Sequence, residues 1–155
     1  MDSGNSTALR VLILPSWYPP DGGQFFQDHA EGLAEAGFEV DILVNRLMGI
    51  TQLKYSERKL YRRFRVTNYR GTRIIRSFYL KPPKSEVFAA QRWAKSTLRL
   101  FERYREAFGS PEVILVHSAM WAGYAASLIK KKSPIENITL GGGMLPEKFC
   151  INALS

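Results

Sequence analysis

Several common signatures of binding and catalysis are missing from this chain of 155 residues, which contains one cysteine, Cys150, and two histidines, His29 and His117. A single cysteine excludes an internal disulfide framework, and the histidines show no metal-ligand spacing. We therefore expect neither a metal nor a cofactor. The sequence also lacks the dinucleotide fingerprint G-x-G-x-x-G and the phosphate loop G-x-x-x-x-G-K-[ST]. Neither nucleotide-binding motif is supported.

Long apolar runs are also absent: none approaches the roughly 20 residues that cross a bilayer, and residues 1–8 carry no export signal. We expect a cytoplasmic protein with a single folded domain over residues 10–140, a disordered start over 1–9 and an atypical tail over 141–155. Acidic residues are scarce beside basic ones, 14 against 22, so the net charge is +8. Such an excess points to an anionic partner: a phosphate-bearing ligand, a membrane surface or nucleic acid.

The first 44 residues contain a strand–loop–helix–strand pattern. An unbroken apolar run at 11–14 predicts a strand buried on both faces, and the turn formers at 17–23 predict a loop. Apolar residues then recur at helical spacing up to Gly37, a candidate left-handed cap, before a second apolar strand at 40–44. This order is that of a right-handed βαβ unit.

A basic segment follows a poorly patterned connector at 45–56. Its apolar residues predict two short strands, one at 64–69 and one at 74–79, joined by a turn at Arg70-Gly71-Thr72. Arginines interleaved with aromatics can bind nucleic acid by phosphate pairing and base stacking. Alternation of this kind also occurs in any half-buried strand, and we favour that interpretation, so nucleic acid is not an expected partner.

The next predicted element is a long helix that begins near Ser85 and ends near Phe108. Its stripe of large apolar residues, Val87 and Phe88 among them, is flanked by Arg92, Lys95 and other basic residues. One interpretation is a peripheral contact with an anionic membrane surface. The other, which we favour, is a core-packed crossover helix with a solvated basic face.

A second βα pair completes the pattern, with an apolar strand at 113–116 and a helix at 119–132. Alternating strands and helices predict an α/β fold: a Rossmann-like, open and mainly parallel sheet with helices on both faces. In the strand order 3-2-1-4-5, ligands bind beyond the carboxyl ends of the strands where the order reverses. We therefore place the candidate site where the first loop meets the turn after the strand at 113–116, at Trp17, Gly22, Gly23, Phe25, His117 and Ser118.

Each group at this crevice has an ordinary interpretation beside the functional one. Glycines before a helix let a ligand approach the backbone and its free N–H groups, but they also make tight turns. Trp17, Tyr18 and Phe25 suit either stacking on a sugar or closure over the core. His117 can exchange protons with a hydroxyl or serve as a structural hydrogen bonder. His29, inside the first helix, is expected to be a packing or partly exposed residue.

Two blocks of this sequence resemble one enzyme family. The segment S-W-Y-P, followed by G-G-Q-F-F-Q-D-H-A and L-A-E-A-G-F-E-V, looks like the start of a family-4 retaining glycosyltransferase of the GT-B type. The segment P-E-V-I-L-V-H-S-A-M-W-A-G-Y-A-A is similar to a block midway through the first domain of that family. The two blocks bracket most of residues 10–132. The resemblance implies one half of a GT-B fold, namely the amino-terminal, acceptor-side domain.

The resemblance also implies a function. Such a domain binds the acceptor, a glycan or a lipid-linked molecule, while a carboxyl-terminal domain holds the nucleotide-sugar donor. Because this sequence contains no such second domain, and residues 141–155 match nothing in the family, we expect a truncated chain that is inactive alone, with no catalytic residue assigned. The alternative is a non-catalytic Rossmann-like binding module or a split-enzyme subunit. Many members of the family act on membrane-embedded acceptors, so the resemblance also allows a peripheral location of this protein at the inner membrane surface.

Overall fold

The computed structural model describes residues 8–49, 51, 63–82, 85–118, 120–135 and 137–140. The described residues form six strands and three helices: β1 Arg10–Pro15, α1 Gln24–Glu35, β2 Glu39–Met48, β3 Arg65–Tyr69, β4 Thr72–Leu80, α2 Glu86–Phe108, β5 Val113–His117, α3 Ala122–Lys132 and β6 Asn137–Leu140. Of the disordered start expected at 1–9, positions 1–7 lie outside the described residues. The tail at 141–155 lies outside them entirely.

All six strands belong to one sheet, in the order β3-β4-β2-β1-β5-β6. Every neighbouring pair is parallel except β3 and β4, which form an antiparallel hairpin at one edge. β1 lies between β2 and β5, so the chain order reverses at β1, as predicted. The open, mainly parallel sheet is confirmed, and its apolar central strands suit burial on both faces.

Helices cover both faces of this sheet. Alternate residues of a strand point to opposite faces, and on β1 the side chain of Ile13 packs with α1 whereas Leu12 and Leu14 pack with α2 and α3. The aromatic residues Trp93 and Phe101 of α2 are buried in this second core. The long basic helix is therefore a core-packed crossover helix, although Val87, expected in its apolar stripe, is exposed.

Local signals located the end of α1 correctly. Gly37 has a φ of 95° and follows the C-cap residue Ala36. The Phe38 N–H donates to the Leu33 carbonyl and the Gly37 N–H to the Ala34 carbonyl. This is the paired hydrogen-bond pattern of a Schellman cap, which needs a residue that tolerates the left-handed conformation.

The polar end of β2 was misread as the start of a connector. β2 continues to Met48 because residues 45–48 pair with β4 from Ser77 to Leu80, and Asn45 hydrogen-bonds to Thr97 of α2 at 2.9 Å. Long-range pairing thus overrides a weak local pattern.

Two further expectations for individual elements were wrong. All five residues of β3 are exposed, so Val66 and Tyr69 do not form a buried face. The helix expected from position 119 begins at Ala122, after a turn at Met120 and Trp121. Tertiary packing decides both features, since neither is encoded in local periodicity.

A buried ionic network lies near the amino ends of the strands. Asp41 of β2 is fully buried, and its Oδ2 accepts hydrogen bonds from the Arg73 Nη2 at 2.7 Å and from the Tyr104 hydroxyl at 2.6 Å. Burial and the hydrogen bond to Asp41 raise the pKa of Tyr104, which keeps the phenol protonated as a donor. The network joins β2, β4 and α2 at the end of the sheet opposite the candidate site.

The helices of the described part are too short or too polar to cross a bilayer. Within the same residues, no group of three or more histidine, cysteine, aspartate or glutamate side chains is placed to hold a metal ion.

Candidate functional site

The two loops predicted to meet do meet. β1 and β5 are adjacent and parallel, in a register that places Pro15 opposite His117. The loop at 16–23 and the segment that follows His117 therefore leave the same, carboxyl edge of the sheet side by side. This is the switch position at which open parallel sheets bind ligands.

Ser16 joins these two loops directly. Its hydroxyl accepts a hydrogen bond from the Ala122 N–H at 3.0 Å and lies 3.4 Å from the His117 carbonyl oxygen, to which it donates. Ala122 is the first residue of α3, whose own N-cap residue, Trp121, gives no side-chain cap. A side chain from the β1 loop thus satisfies an orphan N–H of α3 and fixes the spacing of the crevice walls.

The paired glycines let the first loop fold back on itself. Gly22 and Gly23 have φ values of 104° and 80°, in the left-handed region. A Cβ on Gly23 would lie 2.7 Å from the Phe26 ring and 2.9 Å from the Trp17 carbonyl oxygen. The turn therefore requires glycine here for conformation and for space. No side chain caps α1, which begins at the next residue.

Alanine at position 23 is accordingly expected to destabilise the protein by about 2 kcal/mol, through a strained φ and a clash with the Phe26 ring. Alanine at position 32 is the matched control, because Gly32 lies inside α1 and a Cβ there would meet nothing within 4 Å. We expect that change to stabilise by about 0.5–1 kcal/mol. Urea unfolding measures both; equal effects at the two positions would contradict this account of the loop.

His117 lies beneath the first turns of α1, with an aromatic cover. Its ring centroid is 4.7 Å from that of Phe26 and 6.2 Å from that of Phe25, and His29 meets it edge-on at 5.4 Å. Only 4% of His117 is exposed, whereas Phe25 is 53% exposed. Phe25 therefore forms the outer layer and His117 the floor.

The imidazole of His117 is polar but unsatisfied. Neither of its ring nitrogens has a hydrogen-bond partner among the described residues. Burial, and secondarily the neighbouring His29, lowers the pKa of His117 from 6.5 to about 4, so the ring is neutral at physiological pH. A neutral imidazole offers one donor and one acceptor nitrogen, the complement that a sugar hydroxyl needs. A buried nitrogen that makes no hydrogen bond costs the folded state on the order of 1–3 kcal/mol.

The residue after His117 adds a second unusual feature. Ser118 has a φ of 86°, a left-handed conformation that costs a non-glycine residue on the order of 1–3 kcal/mol. Its carbonyl accepts the Gly123 N–H at 3.0 Å, which holds the turn against α3. Backbone strain and an unsatisfied buried side chain thus occur at consecutive positions of one loop.

A small cavity of about 130 Å³ lies between the carboxyl end of β1 and β2, on the side of β1 away from β5. It occupies the notch where β1 stops and β2 continues, and is lined by Pro15, Ser16, Trp17, Tyr18, Asp21, Val44, Asn45, Arg46 and Leu47. Its volume is below the roughly 300 Å³ of a drug-sized pocket, so it suits a single ring or head group. Trp17, 45% exposed, contributes an aromatic face.

Two arginines hold the β1 loop over this notch. The Arg46 guanidinium of β2 forms two hydrogen bonds to the Asp21 carboxylate, one of them at 2.8 Å from Nη2. Arg76 of β4 donates to the Pro19 carbonyl at 2.9 Å and lies 5.0 Å above the Tyr18 ring. Burial raises the pKa of Tyr18 to about 12, and its hydroxyl donates to Gln27. The loop is therefore attached to β2, β4 and α1 rather than free.

All six candidate site residues lie at this one edge. Trp17, Gly22 and Gly23 lie in the loop, Phe25 is the second residue of α1, His117 is the last residue of β5 and Ser118 follows it. The sequence interpretation missed Ser16, Phe26 and the approach of His29 to His117. The spacing of Phe26 and His29, three residues apart on one helix, was the available signal.

The sheet order and the crevice between β1 and β5 together define this protein as a Rossmann-like α/β protein. No family model matches the chain, and no curated protein matches it. The class therefore rests on the architecture itself.

Proposed function

We propose that this domain is the acceptor-side domain of a glycosyltransferase, one that holds a glycan or lipid-linked acceptor beyond the carboxyl ends of β1 and β5. The observation that carries the proposal is the buried, neutral His117, whose ring nitrogens have no partner among the described residues. Unsatisfied buried polar groups in native structures call for an explanation, and a ligand hydroxyl is a direct one.

The surroundings of His117 support a sugar as the ligand. The exposed rings of Trp17 and Phe25 provide apolar faces at the mouth of the crevice. The Asp21–Arg46 pair lines the neighbouring notch and can hydrogen-bond to hydroxyl groups. The two sequence blocks that resemble family-4 glycosyltransferases contribute the two walls of this crevice.

The proposal assigns only acceptor binding to the described domain. In the enzymes it resembles, a second domain holds the nucleotide-sugar donor, and we propose that sugar transfer by this protein likewise requires a donor-binding partner domain. A peripheral contact of α2 with a membrane remains part of the proposal for lipid-linked acceptors. The basic face of α2 and the exposed Val87 in its first turn are available for it, since the rest of the apolar stripe packs on the sheet.

The alternative is a Rossmann-like binding module or split-enzyme subunit without chemistry of its own. The cover over His117 favours it, because Phe25, Phe26 and His29 surround the imidazole and only 4% of the residue is exposed. A catalytic histidine has to reach the reacting atoms, whereas a binding residue can be reached after a side chain moves.

Titration of the isotope-labelled protein with neutral oligosaccharides such as maltose, cellobiose and chitobiose tests the proposal. We expect amide shifts confined to Trp17, Gly22, Gly23 and Ser118, and roughly tenfold weaker binding in the His117→Phe variant, which removes both ring nitrogens. The matched control is His29→Gln, which changes the other histidine and should alter affinity less than threefold.

Shifts centred elsewhere, or equal affinity of the His117→Phe variant, would contradict acceptor binding at this crevice. Incubation with nucleotide sugars and the bound oligosaccharide then separates the two candidates. Transfer that appears only with a donor-binding domain supports the glycosyltransferase half, and binding without transfer under those conditions supports the binding module.

A further inference from the structure

A row of arginines crosses the hairpin edge of the sheet on the face that α1 covers. Ile74 of β4 packs in the core beneath α1, and Arg76, two residues further along the strand, therefore points to the same face. The register places Arg65 of β3 directly opposite Arg76, and directly opposed residues share a face. On the other side of β4, Val44 pairs with Arg76, and Arg46 follows it by two residues on this face.

Most other cationic side chains in the strands or next to them have carboxylate partners. Arg10, Arg46, Arg70, Arg73 and Lys81 form ion pairs with Glu39, Asp21, Glu31, Asp41 and Glu86, respectively. Arg65 and Arg76 differ, because no carboxylate of the described residues forms an ion pair with either. Like charges directly opposite one another in a sheet are destabilising. Two arginines in that position, with no carboxylate partner among the described residues, repel each other, and a bound anion would remove this repulsion.

The geometry leaves donors free for such an anion. One nitrogen of Arg76, Nη1, is engaged with the Pro19 carbonyl, and the guanidinium lies over the Tyr18 ring, which orients the group. Arg65 is exposed and has no side-chain hydrogen bond to the described residues. A guanidinium fork presents several N–H groups in a plane and matches phosphate oxygens in pairs.

We propose that Arg65 and Arg76, at the β3–β4 edge on the α1 face, form a binding site for a phosphate group. The site does not include His117 and does not depend on the proposed function. Single-stranded RNA, the other polyanion that basic strands attract, is less well matched here. The only aromatic ring of β3 is Tyr69, which lies opposite Thr72 and already stacks with Arg70 at 5.3 Å.

Isothermal titration of the full chain with inorganic pyrophosphate at low salt tests the site. We expect saturable binding, about fivefold to tenfold weaker in Arg65→Gln and lost in Arg65→Glu, because each removes a charge-assisted donor. Arg65 makes no described side-chain contact, so these variants leave the loop contacts of Arg76 in place. The control Arg99→Gln removes an exposed positive charge from α2 on the opposite face and should change affinity less than twofold.

Parallel titrations distinguish the source of the phosphate. Glucose 1-phosphate represents a free phosphate ester, and phosphatidic acid in phosphatidylcholine vesicles represents a lipid head group; binding of either that depends on Arg65 supports the site. Equal weakening by Arg65→Gln and Arg99→Gln would overturn it in favour of general charge attraction. Arg65-dependent binding of a single-stranded RNA oligomer without any binding of pyrophosphate would also overturn it. If pyrophosphate does not bind but oligosaccharide still shifts the amide signal of Trp17, the phosphate site is wrong and the proposed function is unaffected.

Discussion

Replacement of Arg73 by methionine is expected to lower the free energy of unfolding by about 3 kcal/mol, because it leaves the fully buried carboxylate of Asp41 without its cationic partner. Methionine keeps much of the aliphatic volume of arginine, so the loss reports charge rather than packing. The Tyr104 hydroxyl remains as one donor to Asp41, and urea unfolding at neutral pH measures the difference.

Two further variants make this expectation specific. Arg70→Met removes an ion pair with Glu31 at the surface of the same hairpin and should leave stability nearly unchanged, since exposed pairs contribute little. The triple variant Asp41→Leu, Arg73→Met, Tyr104→Phe removes the buried carboxylate together with both of its donors and should regain most of the lost stability. If Arg73→Met proves as mild as Arg70→Met, the network is not the buried charge system that the structure indicates.

Acidification is expected to destabilise the protein through His117. The pKa of its imidazole is about 4 in the folded protein, lowered mainly by burial, and 6.5 is the ordinary value that the unfolded chain should show. Between these values the unfolded state binds a proton that the folded state does not, so stability falls as pH decreases. The contribution is fully present above about pH 6.5 and lost near pH 4. At 1.36 kcal/mol for each pKa unit, the full difference corresponds to about 3.4 kcal/mol, of which we expect about 2–3 kcal/mol to be lost between pH 7 and pH 4.5.

The His117→Phe variant provides the reference, because other groups also titrate in this range. Urea unfolding of both proteins at pH 7 and pH 4.5 should show a larger loss in the wild type. At pH 7 the variant should be at least as stable as the wild type, since it removes unsatisfied polar atoms from an apolar site. Histidine ring signals should place the midpoint of His117 near 4, and a midpoint near 6.5 would show that the imidazole is solvated.

The contrast between stability and binding follows from the same residue. If His117→Phe raises stability and weakens oligosaccharide binding, the histidine is retained for a ligand and not for packing. Loss of both would instead indicate a structural partner for the imidazole.

The periodicity of apolar residues predicted the central elements of this fold, because the elements packed against them favour the same secondary structure as the local sequence. β1, α1, β5 and α2 all lie near their expected positions, and the cap at Gly37 follows from the conformational freedom of glycine. The extent and burial of the polar strand segments were not predicted correctly. Asn45 to Met48 extend β2 only because β4 pairs with them, and β3 looked half-buried from its alternation although its residues are exposed.

The site shows the same division. Residue order and turn chemistry were sufficient to predict that Trp17, Gly23 and His117 lie at one edge, because parallel strands place their carboxyl ends together. The role of Ser16 could not be predicted, since its partners are the Ala122 N–H and the His117 carbonyl, more than 100 residues away along the chain.

By itself, then, the sequence determined the class of the fold, the central position of β1 and the edge of the sheet where a site forms. Tertiary structure alone decided that His117 is buried and neutral beneath Phe25, Phe26 and His29, and that Arg65 faces Arg76 with neither paired to a carboxylate of the described residues. The physical reason is that secondary structure follows periods of two or 3.6 residues within one segment. Desolvation and charge pairing depend instead on which segments meet.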